Sequence, residues 1–225
     1  MKLLAIDCAA SLCAACVYDA DAGVERGRAV LDLGKGHAEH LMAVIDDALK
    51  AGKTGYGDLD AIGVSIGPGS FTGLRVGVST ARGLALALGI PAIGVTTLEG
   101  LAAQAASAYP GRELFAVLDA GRGEIHAALY DAALVNAYGP AVMTLADAVS
   151  MAVEHAPVLA GTAADVIAAT AGGDFAIGPR VATADIGVYA RLAAGKGEGE
   201  RPKPLYLRGA DAKPQAGFIL PRRKS

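Results

Sequence analysis

The residue types best placed for chemistry cluster in Gly67-Pro-Gly-Ser-Phe-Thr-Gly73, where an apolar run turns through glycines into a helix-like stretch. Such turns cradle phosphate when their backbone N–H groups face the anion. Each known pattern is nearly met and then broken. A phosphate loop, G-x-x-x-x-G-K-[ST], uses a lysine on the phosphates and a hydroxyl on magnesium; here Thr72 follows Gly67 by five residues, and Gly73 leads into Leu74-Arg75. The dinucleotide pattern G-x-G-x-x-G keeps Gly67 and Gly69 but has Thr72 for its third glycine. A nucleophilic Ser70 in G-x-S-x-G would need glycines where Pro68 and Thr72 stand.

Metal and thiol chemistry fare no better. His37-Ala-Glu-His40 spaces its histidines three apart, whereas the zincin helix needs them four apart and a third ligand besides. Cys13 and Cys16 sit on an expected strand, where side chains three apart point to opposite faces and cannot chelate or pair. With Cys8 they make an odd set, read as reduced core thiols. His126 and His155 have no triad partner in view. Thr96-Thr-Leu-Glu99 fits the capping box that starts a helix, in which hydroxyl and carboxylate each accept the other residue's exposed N–H.

The elements that would position these residues occur twice. LLAIDCAASLCAACVYD, from Leu3, and LFAVLDAGRGEIHAALYD, from Leu114, superpose at a constant offset that lays Asp7 on Asp119, Ala15 on Ala127 and Tyr18 on Tyr130. Each copy is an apolar run ending in Asp, a short polar turn and a second apolar run, the pattern of a buried hairpin. In the first half a strand near Val24 to Leu31 leads to a helix over Ala38 to Ala51. Then come a strand over Ala61 to Ile66, a helix over Thr72 to Leu88, a strand over Ala92 to Val95 and a helix from Thr97. In the second, a strand near Asn136 to Met143 leads to a helix over Ala146 to His155, a strand at Val158 and a helix over Ala163 to Ala171. A strand at Phe175 and a helix over Ile186 to Ala194 complete it. Both halves read βββαβαβα, an α/β fold of mixed sheets covered by helices. Tyr109-Pro110-Gly111 marks the boundary between them.

Within the helix after Thr72, Gly73, Gly77, Ala81 and Ala85 recur every four residues, a ridge that another backbone can approach closely. The three helix glycines, Gly73, Gly77 and Gly83, each cost about 1 kcal/mol relative to alanine. The ridge packs either on its own sheet or on a second chain. In the helix after His37, Leu41, Val44, Ile45, Ala48 and Leu49 mark the buried face.

A chain of 225 residues that is 53% hydrophobic can bury a large core or two small ones. Its apolar start stops at Asp7, too short for a signal peptide, and no later run suits a membrane span, so the cytoplasm is the expected compartment. The net charge of −3 is unevenly placed: from Arg201 onward seven basic side chains face one acid, Asp211. That segment is either a solvated tail or an appendage that faces RNA or a partner.

The fused repeat resembles the actin, sugar-kinase and Hsp70 (ASKHA) superfamily, built on a ribonuclease-H-like unit. In that superfamily, Asp-ended hairpins clamp nucleotide phosphates across a cleft. Asp7, Ser11, Asp119 and Arg122 occupy those turns, although the first turn lacks the glycine that lets N–H groups reach an anion. The segments AIDCAAS, GHAEHLMAVIDDAL, GVSIGPGSFTGLRVGVSTARGLALALGIPAIGVTTLEGLA, VLDAGRGEIHAALYD and PLYLRGADAKP resemble the TsaB (YeaZ-like) family. That resemblance implies a non-catalytic dimerisation subunit of the complex that adds threonylcarbamoyl to N6 of the adenosine 3′ of the anticodon in tRNA. It implies as partners the paralogue TsaD, which carries the metal and nucleotide, and the ATPase TsaE. No cofactor is then held by this subunit alone. The TsaD metal motif His-x-x-x-His falls on Thr97 and Leu101. The family's contact, with TsaD or a second TsaB, is a four-helix bundle. Carried onto this chain, it uses His37, His40, Leu41 and Val44 on one helix and Gly73, Leu74, Gly77, Val78, Ala81 and Arg82 on the next. Gly77→Leu is then expected to break the complex and leave the chain folded. The expected division is 1–110 for the half carrying the interface, 111–200 for the second half and 201–225 for the basic tail. Two other classes are set against this one: a metal-dependent glycoprotease-like hydrolase, and an ATP-dependent small-molecule kinase.

Overall fold

The computed structural model describes residues 1–197 and 199–207. Five strands, β1 (Lys2–Asp7), β2 (Leu12–Asp19), β3 (Val24–Asp32), β4 (Ala61–Ser65) and β5 (Ala92–Val95), form the first sheet in the order β3-β2-β1-β4-β5. The three hairpin strands are antiparallel, and crossovers through α1 (His37–Ala51) and α2 (Phe71–Leu88) bring β4 and β5 in parallel. β4 is buried at every position, as expected of a parallel strand covered on both faces. The second sheet, β6 (Leu114–Gly121), β7 (Glu124–Tyr130), β8 (Asn136–Thr144) and β9 (Val158–Ala160), runs β8-β7-β6-β9 and carries α4 (Leu145–His155) and α5 (Ala164–Ala171).

The strand expected at Phe175 is reduced to one parallel bridge between Ile177 and Leu159. Gly172, in the left-handed region, ends α5, and Pro179, which has no N–H, follows soon after, so little chain is left to pair.

Two further helices exchange places. α3 (Thr97–Ala108) follows the first sheet in sequence, yet Leu98, Leu101, Ala102 and Ala105 pack with Leu114, Ala116 and Leu118 of the second. α6 (Ile186–Lys196) returns to the first, where Ile186, Tyr189 and Ala193 pack with Leu3, Ala5 and Val95. A latch of Arg28 on β3 with Glu25 and Asp185 fastens its start. Because of the exchange, neither sheet completes its two-sided covering from its own half.

The repeat also slips. Ala14 pairs with Asp7, while its counterpart His126 pairs with Leu118. The gapless superposition therefore fails in the leading strand, where Leu118 rather than Asp119 takes the place of Asp7. A bulge between Asp119 and Gly121 absorbs the difference. One residue reverses a strand's facing, so the two aspartates point to opposite sides of their sheets. Cys13 and Cys16 likewise lie in different cores.

Candidate functional site

Asp7 ends β1 with its side chain 1% exposed. One carboxylate oxygen accepts from the Ser65 hydroxyl and from Ala9 N–H at 2.9 Å; the other accepts from Thr183 Oγ1 at 2.7 Å. Thr183 Oγ1 also lies 2.7 Å from the Tyr189 hydroxyl. Burial holds the Asp7 carboxyl above its ordinary range, against the opposing pull of these donors. Burial and the nearby Asp7 charge raise the Tyr189 phenol as well. The carboxylate thus links β1, β4 and the segment entering α6.

The cleft between the halves survives as a cavity of about 320 Å³, lined by Ala9, Ala10 and Ser70 on one side and Asp119, His126 and Thr162 on the other. Its first wall is lined by backbone carbonyls. A Cβ on Gly69 would overlap the Ala9 carbonyl oxygen, and one on Gly73 the Cys8 carbonyl oxygen. Carbonyls, not N–H groups, therefore press on the start of α2, and Ser70 N–H is already bonded to Ala9 O at 2.7 Å. Of the four expected phosphate contacts, only Asp119 lines the cavity, and its carboxylate accepts from Gly121 N–H. Ser11 and Arg122 lie on exposed turns, and Asp7 is enclosed.

Metal binding finds no ligand set among the described residues. His37 is buried with Nε2 3.2 Å from Leu12 O, whereas His40 faces solvent. Thr97 and Leu101 are fully buried. Half of the expected capping box forms: Thr96 Oγ1 accepts from Glu99 N–H at 3.0 Å, but the Glu99 carboxylate reaches Lys196 on α6 at 2.7 Å.

The outer faces of α1 and α2 remain. Here the expected contact set needs correction. His37, Leu41 and Val44 on α1, and Gly73, Leu74, Gly77, Val78 and Ala81 on α2, are buried in this chain's own core. Only His40 and Arg82 of that set face solvent. The small-residue ridge packs on its own sheet: a Cβ on Gly77 would lie 3.6 Å from Cys8 Cβ and 3.7 Å from Val64 Cγ2. Leucine there would invade the core, so Gly77→Leu tests folding rather than partnership. Gly83 is different. It is exposed, and a Cβ there would meet nothing within 4 Å. Met42 on α1 is 46% exposed and Phe71, opening α2, is 51% exposed.

Residues 32–185 match the family model described as TsaD: tRNA N6-adenosine threonylcarbamoyltransferase. The chain belongs to this family. Within it, the likeness to TsaB is borne out by the tRNA threonylcarbamoyladenosine biosynthesis protein TsaB of Escherichia coli, 34% identical over 58% of this chain and 55% of that protein. The aligned part thus spans about half the length of that relative. An uncharacterized protein of Mycobacterium tuberculosis is 36% identical over 95% of both chains. The fold is that of YeaZ from Pseudomonas aeruginosa, with a TM-score of 0.73 at 24% identity over 92% of this chain and 99% of that one.

Within the TsaD family this chain has core side chains where the resemblance puts the metal histidines. Thr97 and Leu101 belong to the packing of α3, and no rotation of a buried leucine makes a ligand. The residues that sequence reasoning missed, Met42, Phe71 and Gly83, share one trait: each is out of place on a solvent-facing helix surface. Gly83 carried the signal, since an exposed helix glycine with no role in its own fold is an uncompensated cost.

Proposed function

We propose that this chain is a non-catalytic subunit in the formation of threonylcarbamoyladenosine on tRNA, and that it holds a TsaD-type partner through the outer faces of α1 and α2. The names of the TsaB relatives from Escherichia coli and Haemophilus influenzae support the pathway. The observation that carries the role is Gly83, exposed on α2 and open to close approach by another helix, with Met42 exposed on α1. Two such helices side by side leave half a four-helix bundle uncovered. The same face serves a second copy of this chain, or TsaD, with TsaE joining the assembly. Nucleotide and metal then belong to TsaD, since the cleft here offers carbonyls to phosphate and core side chains to metal. The same two features count against the kinase and the glycoprotease-like hydrolase. As a tRNA-modifying subunit it would work in the cytoplasm; among the described residues no helix is long and apolar enough to cross a membrane.

The test is co-purification with TsaD. Gly83→Leu places a branched side chain where no atom lies near the Cβ, so the variant melts at or above the parent and loses the partner. A folded Gly83→Leu chain that still retains TsaD refutes the interface. Modification of tRNA reconstituted with TsaD and TsaE should require this chain, read as modified adenosine by mass spectrometry.

A further inference from the structure

The first hairpin sets two thiols against each other. The ladder between β1 and β2 reaches the turn with Asp7 opposite Ala14, so Cys8 stands opposite Cys13. Residues directly opposed on antiparallel strands share a face, with Cα atoms about 4.5–5.5 Å apart. A disulfide spans about 4.4–6.8 Å between Cα atoms, so the backbone already offers its spacing. Both cysteines are buried in the core under α1 and α2, beside Ile6 and Ala15 of the same hairpin face. Their thiols hydrogen-bond each other.

The turn between them is held against sliding. Ala9 N–H donates to the Asp7 carboxylate at 2.9 Å, and the Ala9 carbonyl accepts from Ser70 N–H at 2.7 Å. The Ser11 carbonyl accepts from Leu33 and Gly34 N–H at 3.0 and 3.1 Å, and Leu12 O lies 3.2 Å from His37 Nε2. A slip of one residue would put the thiols on opposite faces, and these bonds oppose it. The two sulfurs are also unequal. The hydrogen bond to Cys13, together with burial, holds the Cys8 thiol protonated, and the same bond favours the thiolate of Cys13, which accepts it. Cys16 lies in the other core, which has no second cysteine, and burial pushes its thiol up to about 12. Ala9 and Ala10, the residues after Cys8, line the cavity between the halves and bring solvent within a residue of the pair.

We propose that Cys8 and Cys13 are an oxidant-responsive dithiol that closes to an intramolecular disulfide, with a peroxide as oxidant, while Cys16 stays reduced. The Cys13 thiolate attacks one peroxide oxygen and the O–O bond breaks. Hydroxide leaves and takes up a proton as water, and Cys13 becomes a sulfenic acid. The Cys8 sulfur then attacks the Cys13 sulfur: the S–S bond forms, the S–O bond breaks, and the hydroxyl departs with the Cys8 proton as a second water. Two thiols thus lose two hydrogens and two electrons, and one peroxide is reduced to two waters. A dithiol reductant reverses the closure by exchange. The inference stands apart from the reading of α1 and α2 as a partner face.

The experiment treats the full chain with hydrogen peroxide in native buffer, at a dose that exhausts the thiols of the denatured chain. The product is weighed intact, then alkylated in denaturant. Of the three thiols that take label before treatment, one, Cys16, should remain, and the unlabelled mass should fall by two hydrogens. Proteolysis after Leu12 should leave the fragments carrying Cys8 and Cys13 joined until reductant is added. Cys16→Ala should form the same bond, whereas Cys8→Ala and Cys13→Ala should form none. The same oxidation in guanidinium should spread over all three pairings, because register no longer selects the partner. A native chain that keeps all three thiols open overturns the proposal. So does a bond to Cys16, oxidation of Cys8 or Cys13 to sulfinic acid without a bond, or a native pattern equal to the denatured one.

Discussion

Three glycines on one helix should respond in three ways to the same added methyl group. At Gly73 a Cβ falls inside 3.0 Å of the Cys8 carbonyl oxygen, 3.2 Å from its carbon and 3.3 Å from Ser70 Oγ. Backbone cannot swing aside as a side chain can, so either the start of α2 or the first hairpin turn must move. Overpacking of this kind costs about 1–3 kcal/mol. Little returns from helix propensity in a first turn. At Gly77 the nearest atoms lie 3.6–3.8 Å away, ordinary contact, so alanine gains about 1 kcal/mol of propensity. At Gly83 nothing opposes the methyl and the gain is about the same. For a chain of this length, each kcal/mol moves the melting temperature by about 2–4 °C. Thermal melts of the three alanine variants should therefore order Gly73→Ala below the parent and the other two above it. A Gly73→Ala protein as stable as the parent would refute the close approach of α2 to the turn, and with it the argument that carbonyls crowd the first wall of the cleft. A destabilised Gly83→Ala would refute the open face.

Further tests follow from the cleft and the buried aspartate. Asp7 has a raised carboxyl pKa in the folded chain, so the native state binds its proton more tightly than the unfolded one. Its contribution to stability is present below the ordinary carboxylate pKa and is lost as pH rises through the raised one. Asp7→Asn should remove that decline, and melts across pH should show the gap between parent and variant widening in the variant's favour as pH rises. Asp185 has the opposite sign: Arg28 lowers its carboxyl, so the latch fades as pH falls, and Arg28→Ala should cost about 1 kcal/mol or less at neutral pH because the pair is partly exposed. ATP with magnesium should leave the melting temperature of the free chain unchanged, whereas a ligand at 100 times its Kd would stabilise by about 2.7 kcal/mol.

Much of this was legible in the chain. The repeated hairpins, the crossovers and the failure of each phosphate motif follow from residue type and spacing. The facing of the ridge does not: a four-residue spacing selects Gly73, Gly77 and Ala81 as one stripe but is silent on whether the stripe looks in or out. For α1 the periodicity already answered, since the spacing that marks Leu41 and Val44 as inward excludes them from an outer contact. The helix exchange leaves no local trace, because α3 and α6 carry apolar faces that fit either sheet. The register slip is hidden for a stronger reason. Asp7 and Asp119 align without a gap, and only strand pairing reveals that the bulge has shifted one hairpin by a residue.

That slip bears on how the two hairpin aspartates are used. In the superfamily that the repeat resembles, paired aspartates at the hairpin turns face the phosphates. Here Asp119 lines the cavity, whereas Asp7 is buried and bonded through Ser65 and Thr183 to β4 and the entry of α6. Because α6 belongs in sequence to the second half and packs on the first sheet, the Asp7–Thr183–Tyr189 chain joins the two halves from within. A carboxylate that would repel phosphate or bind its metal instead fixes how one half sits on the other. Rigidity of that kind fits the proposal that the chain presents two helices to a partner, and it works against a chain that must open and close around a substrate.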